Sequence, residues 1–311
     1  MSLVQTFRIG GLRCHALDAG SQRLDGGAMF GVVPKPLWER RAPPDERNRI
    51  PLALRCLLIE HETGLVLVDT GVGNKENEKF VDIYDVENSG ERGATMLEDA
   101  IENTGFTPHD IKYIINTHLH FDHAGGNTWI PGVGTGGPAR AAGAAEVAEA
   151  AVELTFPNAT YVVQRGELEF ARHRNERTAA SYLPPNFEPV AVAGRWRLVE
   201  GEAEVLPGIR VLPTPGHVPY HQSVVIESGG ETACFVGDLI PTVAHLPLPW
   251  IMGYDLHPLV TLETKRRFLA RAEAEGWVLI FEHEPGVAIG RVQLGTKGYE
   301  LQPLDTPVGG G

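Results

Sequence analysis

Thr117-His118-Leu119-His120-Phe121-Asp122-His123-Ala124-Gly125-Gly126 places three imidazoles and one carboxylate within six consecutive positions. The stretch follows Tyr113-Ile114-Ile115-Asn116, a short apolar run that reads as a buried strand. In extended or tightly turned backbone His118 and His120 share a face, because alternate side chains do, and Asp122 and His123 turn toward a neighbouring point. Neutral imidazole and carboxylate are ligands for zinc and similar divalent ions, and four such groups exceed what one open tetrahedral site uses. Two metals are therefore expected. An isolated histidine would read as an ordinary surface or core residue. A dense titratable quartet beside a buried strand is costly without a cation.

The same arrangement recurs along the chain. Thr214-Pro215-Gly216-His217 follows the strand Ile209 to Leu212, Gly237-Asp238 follows Thr232 to Val236, and Glu282-His283 follows Val278 to Phe281. Strand ends hold such groups rigidly. Upstream, Leu52 to Glu60, a turn at His61-Glu62-Thr63-Gly64 and Leu65 to Val68 read as a hairpin running into Asp69-Thr70-Gly71-Val72-Gly73, a loop whose glycines let backbone approach a site closely. Leu97, Ala100, Ile101 and Thr104 form one helical face, stopped at Gly105. An alanine-rich helix is expected within Pro131 to Ala151. Thr160 to Val163 reads as a strand, and Arg165 to Arg177 is a charged, helical segment that could cover a site. A helix from Thr261, as N-cap, to Glu275 ends before Gly276. No repeat of 20 to 50 residues stands out. The pattern suits an α/β protein with sheets packed between helices, a single domain over residues 1–311, with 26–45 and 131–196 as pocket or lid elements.

The 311 residues are 42% hydrophobic and 22% charged, which argues against disorder. With 27 Lys and Arg against 40 Asp and Glu, the net charge is -13 and no basic tract offsets it, so no nucleic-acid partner is expected. Cys14, Cys56 and Cys234 form no C-x-x-C pair and read as core side chains in a reducing compartment. The start lacks a basic segment followed by an apolar run, and no stretch of 18 apolar residues occurs, so a cytoplasmic protein with no membrane contact is expected. The apolar segment Met29 to Trp38 reads as a homodimer contact or as a loop folded onto its own domain.

The order H-x-H-x-D-H, His, Asp, His resembles the metallo-β-lactamase superfamily over about Leu52 to His283. That resemblance implies an αββα sandwich with the site at one edge between the sheets. It also implies that His118, His120 and His217 hold one metal, that Asp122, His123 and His283 hold the other, and that Asp238 bridges both. Asp69, in a D-T-G loop, would orient a ligand rather than bind metal. The familiar β-lactamases use a cysteine where Asp238 stands, flavodiiron proteins carry a glutamate in place of the second histidine, and the ribonuclease-like branch is disfavoured by the acidic balance.

Thr214-Pro215-Gly216-His217-Val218-Pro219-Tyr220-His221-Gln222-Ser223 resembles the T-P-G-H-x-x-x-H-Q-S segment of the N-acyl homoserine lactonases, and Asp25 to Lys35 resembles their YtnP-like quorum-quenching subgroup. The resemblance implies a lactone or ester substrate, attacked at its carbonyl by a hydroxide bridging two divalent ions, zinc by expectation, with manganese, cobalt and iron as alternatives. Asp122 and Asp238 would be the catalytic carboxylates. His221 reads as support behind the metals, and Met29 and Phe30 as lining for an acyl-chain pocket. The tyrosine that lies three residues after the bridging aspartate in the best-known branch is Pro241 here, which leaves His245 and Tyr254 as substitute donors. Methyl-parathion-hydrolase-like phosphotriesterases and glyoxalase-II-like thioesterases use the same metal frame. A non-hydrolytic, iron-binding redox protein is the alternative from another class.

Overall fold

The structure, a computed structural model, describes residues 2–133, 152–286, 288–296 and 298–304. The alanine-rich helix expected before Ala151, and the corresponding part of the 131–196 element, lie outside the described residues. The chain divides into two compact units. The first comprises residues 1–6, 12–22 and 54–200, and the second residues 7–11, 23–53 and 201–311.

The first unit is organised by five strands paired in series. The β-rich run Arg49–His61 (β3, after β1, Val4–Ile9, and β2, Leu12–Asp25) turns back antiparallel into Gly64–Val68 (β4), as the hairpin reading expects. Ile111–Ile115 (β5) then pairs parallel with β4. After two short strands, Thr128–Trp129 (β6) and Glu153–Leu154 (β7), Thr160–Gln164 (β8) pairs parallel with β5, and Trp196–Val199 (β9) parallel with β8. Parallel neighbours need long crossovers. The helix Met96–Asn103 supplies one, burying Leu97, Ala100 and Ile101 against Leu58, Leu67 and Ile114 before Gly105, at φ 90°, ends it. Because β4 and β5 run the same way, Asp69 and Asn116 leave them at one edge.

The second unit holds a seven-stranded sheet in chain order: Ala203–Leu206 (β10), Ile209–Pro213 (β11), Gln222–Ser228 (β12), Glu231–Phe235 (β13), Val278–Ile280 (β14), Ile289–Gly295 (β15) and Gly298–Pro303 (β16). All neighbours are antiparallel except β13 and β14. The helix Pro258–Ala274 makes that crossover, packing Phe268, Leu269 and Ala272 on Cys234, Leu279 and Phe281. It starts three residues before the expected Thr261: proline at the first helical position has no N–H to leave unsatisfied, so the turn begins at Pro258 with His257 as cap. The carboxyl ends of β11, β13 and β14 and the amino end of β12 share one edge, which is where His217, His221, Asp238 and His283 emerge.

All three cysteines are buried and outside any disulfide, and burial raises the Cys14 thiol to about 12 and the Cys234 thiol higher still. Among the described residues no helix is long and apolar enough to cross a membrane.

Two stability outcomes follow from the second unit. Leu279, fully buried, should cost about 2–5 kcal/mol on Leu279→Ala, read as a lower urea midpoint with unchanged slope. Lys265 is buried, its Nζ donating to the carbonyls of Pro247 and Trp250 at 2.8 and 2.9 Å, and burial lowers its pKa to about 7. Above pH 7 the unfolded chain therefore keeps a proton that the folded one has released, so stability should climb as pH rises from about 7 toward the ordinary lysine value near ~10.4. Denaturation measured across that window should lose this slope in Lys265→Met.

Candidate metal centre

In the first unit the chain leaves β4 through Asp69, whose φ of 54° is uncommon for a residue bearing a side chain. Its carboxylate accepts from the Thr117 N–H at 2.7 Å, the Thr117 hydroxyl at 2.6 Å and His123 Nδ1 at 3.0 Å. Thr117 Oγ1, its own proton given to Asp69, is then free to accept from His118 Nδ1 at 3.1 Å. Both imidazoles are thereby fixed with the proton on Nδ1 and the lone pair on Nε2, the form that binds a metal. The His118 ring centroid lies 4.4 Å from that of His120 and 4.0 Å from that of His123. Asp122 Oδ1 lies 3.7 Å from His123 Nε2.

Local backbone packing explains why the sequence turns here. Phe121–Ala124 is one helical turn, and Gly125 and Gly126 press on the Asp69 loop: a Cβ on Gly125 would sit 2.0 Å from the Val72 carbonyl oxygen, and one on Gly126 2.1 Å from that of Thr70. The loops are tied by Thr70 N to the His123 carbonyl at 2.8 Å and Gly126 N to the Gly71 carbonyl at 3.0 Å. Buried Lys75 donates to the carbonyls of Gly125 and Thr128.

The second unit brings His217, Asp238 and His283 together. Asp238 Oδ2 lies 3.0 Å from His217 Nε2, and its Oδ1 3.2 Å from His283 Nε2, so one carboxylate faces two imidazoles with separate oxygens. The far nitrogens are engaged: His217 Nδ1 on Asp255 Oδ1 at 2.9 Å, and His283 Nδ1 on the Ala53 carbonyl at 2.8 Å. His221 Nε2 accepts the Asp238 backbone N–H at 3.0 Å, while its Nδ1 meets the Thr214 hydroxyl at 2.8 Å. His221 thus carries the backbone of Asp238.

Each donor set suits a divalent cation: buried imidazoles presenting Nε2, with carboxylate oxygens beside them, and nitrogen and oxygen chemistry without thiolate.

Other residues named from the sequence are placed differently. Met29 and Phe30 are buried in a cluster with Trp38, Ile50, Leu52 and Met252. The apolar run Met29 to Trp38 is thus not exposed as a whole, although Val32 and Leu37 are. His245 stacks flat on Phe30 with centroids 4.6 Å apart, and its two nitrogens meet Thr242 Oγ1 and the Met29 carbonyl, both at 2.8 Å. Burial lowers its pKa to about 3, so the ring is neutral. Tyr254 is 37% exposed.

The sequence reading missed Asp255, and it missed Glu167. Buried Glu167, in the helix Arg165–Arg172, accepts the Leu119 N–H at 3.0 Å and the Tyr182 hydroxyl at 2.8 Å. The Tyr182 ring in turn packs edge-on to His120 at 4.6 Å. Burial, with Glu167 beside it, raises the Tyr182 hydroxyl well above the ordinary tyrosine value. Helical character in this segment was legible; a carboxylate holding the backbone between two ligand candidates was not.

Fold and donor sets define a metallo-hydrolase class. The metallo-β-lactamase superfamily profile matches residues 50–283, and the chain belongs to that superfamily. Within it, the chain is 35% identical over 188 residues to an N-acyl homoserine lactonase of Bacillus cereus, an alignment covering 58% of this chain and 61% of that protein. The chain thus spans about three fifths of the length of the curated relatives it matches. A probable metal-dependent hydrolase from Staphylococcus aureus superposes with a TM-score of 0.80 at 30% identity, covering 95% of this chain and 99% of that one. An N-acyl homoserine lactone hydrolase, with product bound at its catalytic metal centre, superposes with a TM-score of 0.63 at 25% identity, covering 90% and 95%. The α/β, metallo-β-lactamase fold expected from the sequence is borne out.

Replacing a carboxylate that orients a candidate ligand histidine should loosen bound metal without unfolding the protein. Asp255→Asn is expected to weaken metal binding about 10–100-fold in chelator competition while the far-ultraviolet spectrum stays unchanged.

Proposed function

We propose that this chain is a dinuclear-metal hydrolase that opens lactone rings such as those of N-acyl homoserine lactones. His118, His120 and His217 would hold one divalent ion, Asp122, His123 and His283 the other, and Asp238 would be shared between them. The observation that carries the reading is the tethering of Nδ1 in His118, His123, His217 and His283, which turns Nε2 into the ligand atom in all four. Asp238, with one oxygen toward each of two imidazoles, supports the bridging role. Kinship with the lactonases supports the substrate class.

When bound, the cation pair supplies an acidified water at neutral pH and positive charge for the carbonyl oxygen. The protein's own groups then handle the proton. Water oxygen bonds to the carbonyl carbon, the ring C–O bond breaks, and Asp122 carries the proton to the departing alkoxide, giving a hydroxy acid. Tyr182, its hydroxyl bound to Glu167, confines the His120 ring. Asp69 and Asp255 hold His123 and His217 in the neutral, Nδ1-protonated form and make Nε2 a stronger electron-pair donor.

The test combines a metal count with a panel of homoserine lactones, a paraoxon-like triester and an acyl-glutathione thioester, compared by kcat/KM. Two zinc, manganese or cobalt ions per chain and the highest kcat/KM on lactones are expected. A triester or thioester leading the panel would move the assignment within the family, and a single iron with oxygen consumption would overturn hydrolysis. Asp122→Ala should lower occupancy from two metals to one and remove activity; full occupancy with full activity would refute its role.

A further inference from the structure

Gln22 lies near the end of β2, and its amide Nε2 meets Asp122 Oδ2 at 2.5 Å, across 100 positions of sequence. The side chain is completely buried. The orientation of the amide follows from chemistry: a carboxylate only accepts, so the NH2 end faces it. The other end, Gln22 Oε1, is buried and meets no donor among the described residues. Leaving a buried acceptor unmet costs about 1–3 kcal/mol, so an apolar side chain of the same shape would be the more stable choice if filling space were the only task. The one bond the amide makes is to Asp122.

The backbone beneath it is braced. Ser21 and Glu87 exchange N–H to carbonyl bonds, both 2.9 Å. Gly20, at φ 109°, lies so close to the neighbouring segment that a Cβ would sit 2.3 Å from the Glu87 carbonyl oxygen. The amide is therefore presented from a rigid strand end.

We infer that Gln22 is a positioning residue for Asp122: by binding Oδ2 it fixes the plane of the carboxylate and turns Oδ1 toward the side of His123 Nε2. The inference rests on the proposed role of Asp122 as ligand and proton carrier. An N–H donated to Oδ2 leaves one oxygen for the cation and holds the other where a proton is passed on. Without the amide the carboxylate would rotate about its own bond, and both tasks would lose their geometry.

The measurement is chelator competition and steady-state kinetics on Gln22→Met, which keeps the shape and removes the donor. Zinc affinity should fall about 10–100-fold, and kcat on a homoserine lactone about 10-fold or more with KM little changed. In an Asp122→Ala background, Gln22→Met should leave the remaining zinc affinity unaltered, because its target is gone; a purely structural residue would cost the same in both backgrounds. Wild-type affinity and kcat in Gln22→Met, or an equal loss in both backgrounds, would overturn the inference. If Gln22→Met fails to fold, Gln22→Asn, which withdraws the amide by one methylene, is read by the same criteria. Absence of lactone turnover in the wild-type protein would sink the functional proposal alone, since the zinc competition still decides the role of Gln22.

Discussion

Buried imidazoles can stand beside buried carboxylates only if positive charge is shared among them, and the tethering of Nδ1 determines what form that charge takes. In the second unit His217 and His283 give their Nδ1 protons to Asp255 and to the Ala53 carbonyl, so both Nε2 atoms turn toward the oxygens of Asp238. With neutral rings, lone pairs face lone pairs. Protons on both Nε2 atoms would relieve this only by burying two imidazolium ions, at a large desolvation cost. Divalent ions resolve the conflict without that cost, since neutral imidazole and ionised carboxylate are the states they bind.

The first unit solves the same problem with one carboxylate and one hydroxyl in series. Asp69 Oδ2 accepts from the Thr117 hydroxyl, which can then accept from His118 Nδ1, and the same carboxylate oxygen accepts from His123 Nδ1. A single buried carboxylate thus sets two tautomers. The price is a left-handed backbone at Asp69 and two glycines pressed against its loop. Such local departures from ordinary backbone preference are expected where geometry matters more than stability.

How much of this was legible in the sequence follows from sequence distance. The quartet at 118–123 declares itself because its members are within six positions, and His217, Asp238 and His283 each follow a strand that periodicity reveals. The hairpin ending at Asp69 and the parallel strand before Asn116 were legible for the same reason. The groups that aim the ligands were not. Asp255 is 38 positions from His217, Glu167 48 from Leu119, and Gln22 100 from Asp122, and no local spacing connects such pairs. The start of the long helix was misplaced because Thr261 is a good cap by type, whereas Pro258 fixes the first turn by backbone geometry.

Tautomers also separate the candidate ligands from bystanders that sequence proximity groups together. His245, named as a substitute for the missing tyrosine, faces a carbonyl with Nε2, so its proton sits there, and its Nδ1 accepts from Thr242. That is the reverse of the form held by His118, His123, His217 and His283. With both nitrogens engaged and the ring stacked on Phe30, it has no N–H left for a substrate carbonyl in this arrangement; it joins the segment carrying Met29 to the loop after Pro241. Pro241 itself serves backbone, its carbonyl accepting the His283 N–H at 3.1 Å. Of the two residues named for the tyrosine's place, Tyr254 alone keeps an exposed side chain, while the histidine that stands nearer in sequence is engaged in tying two segments together.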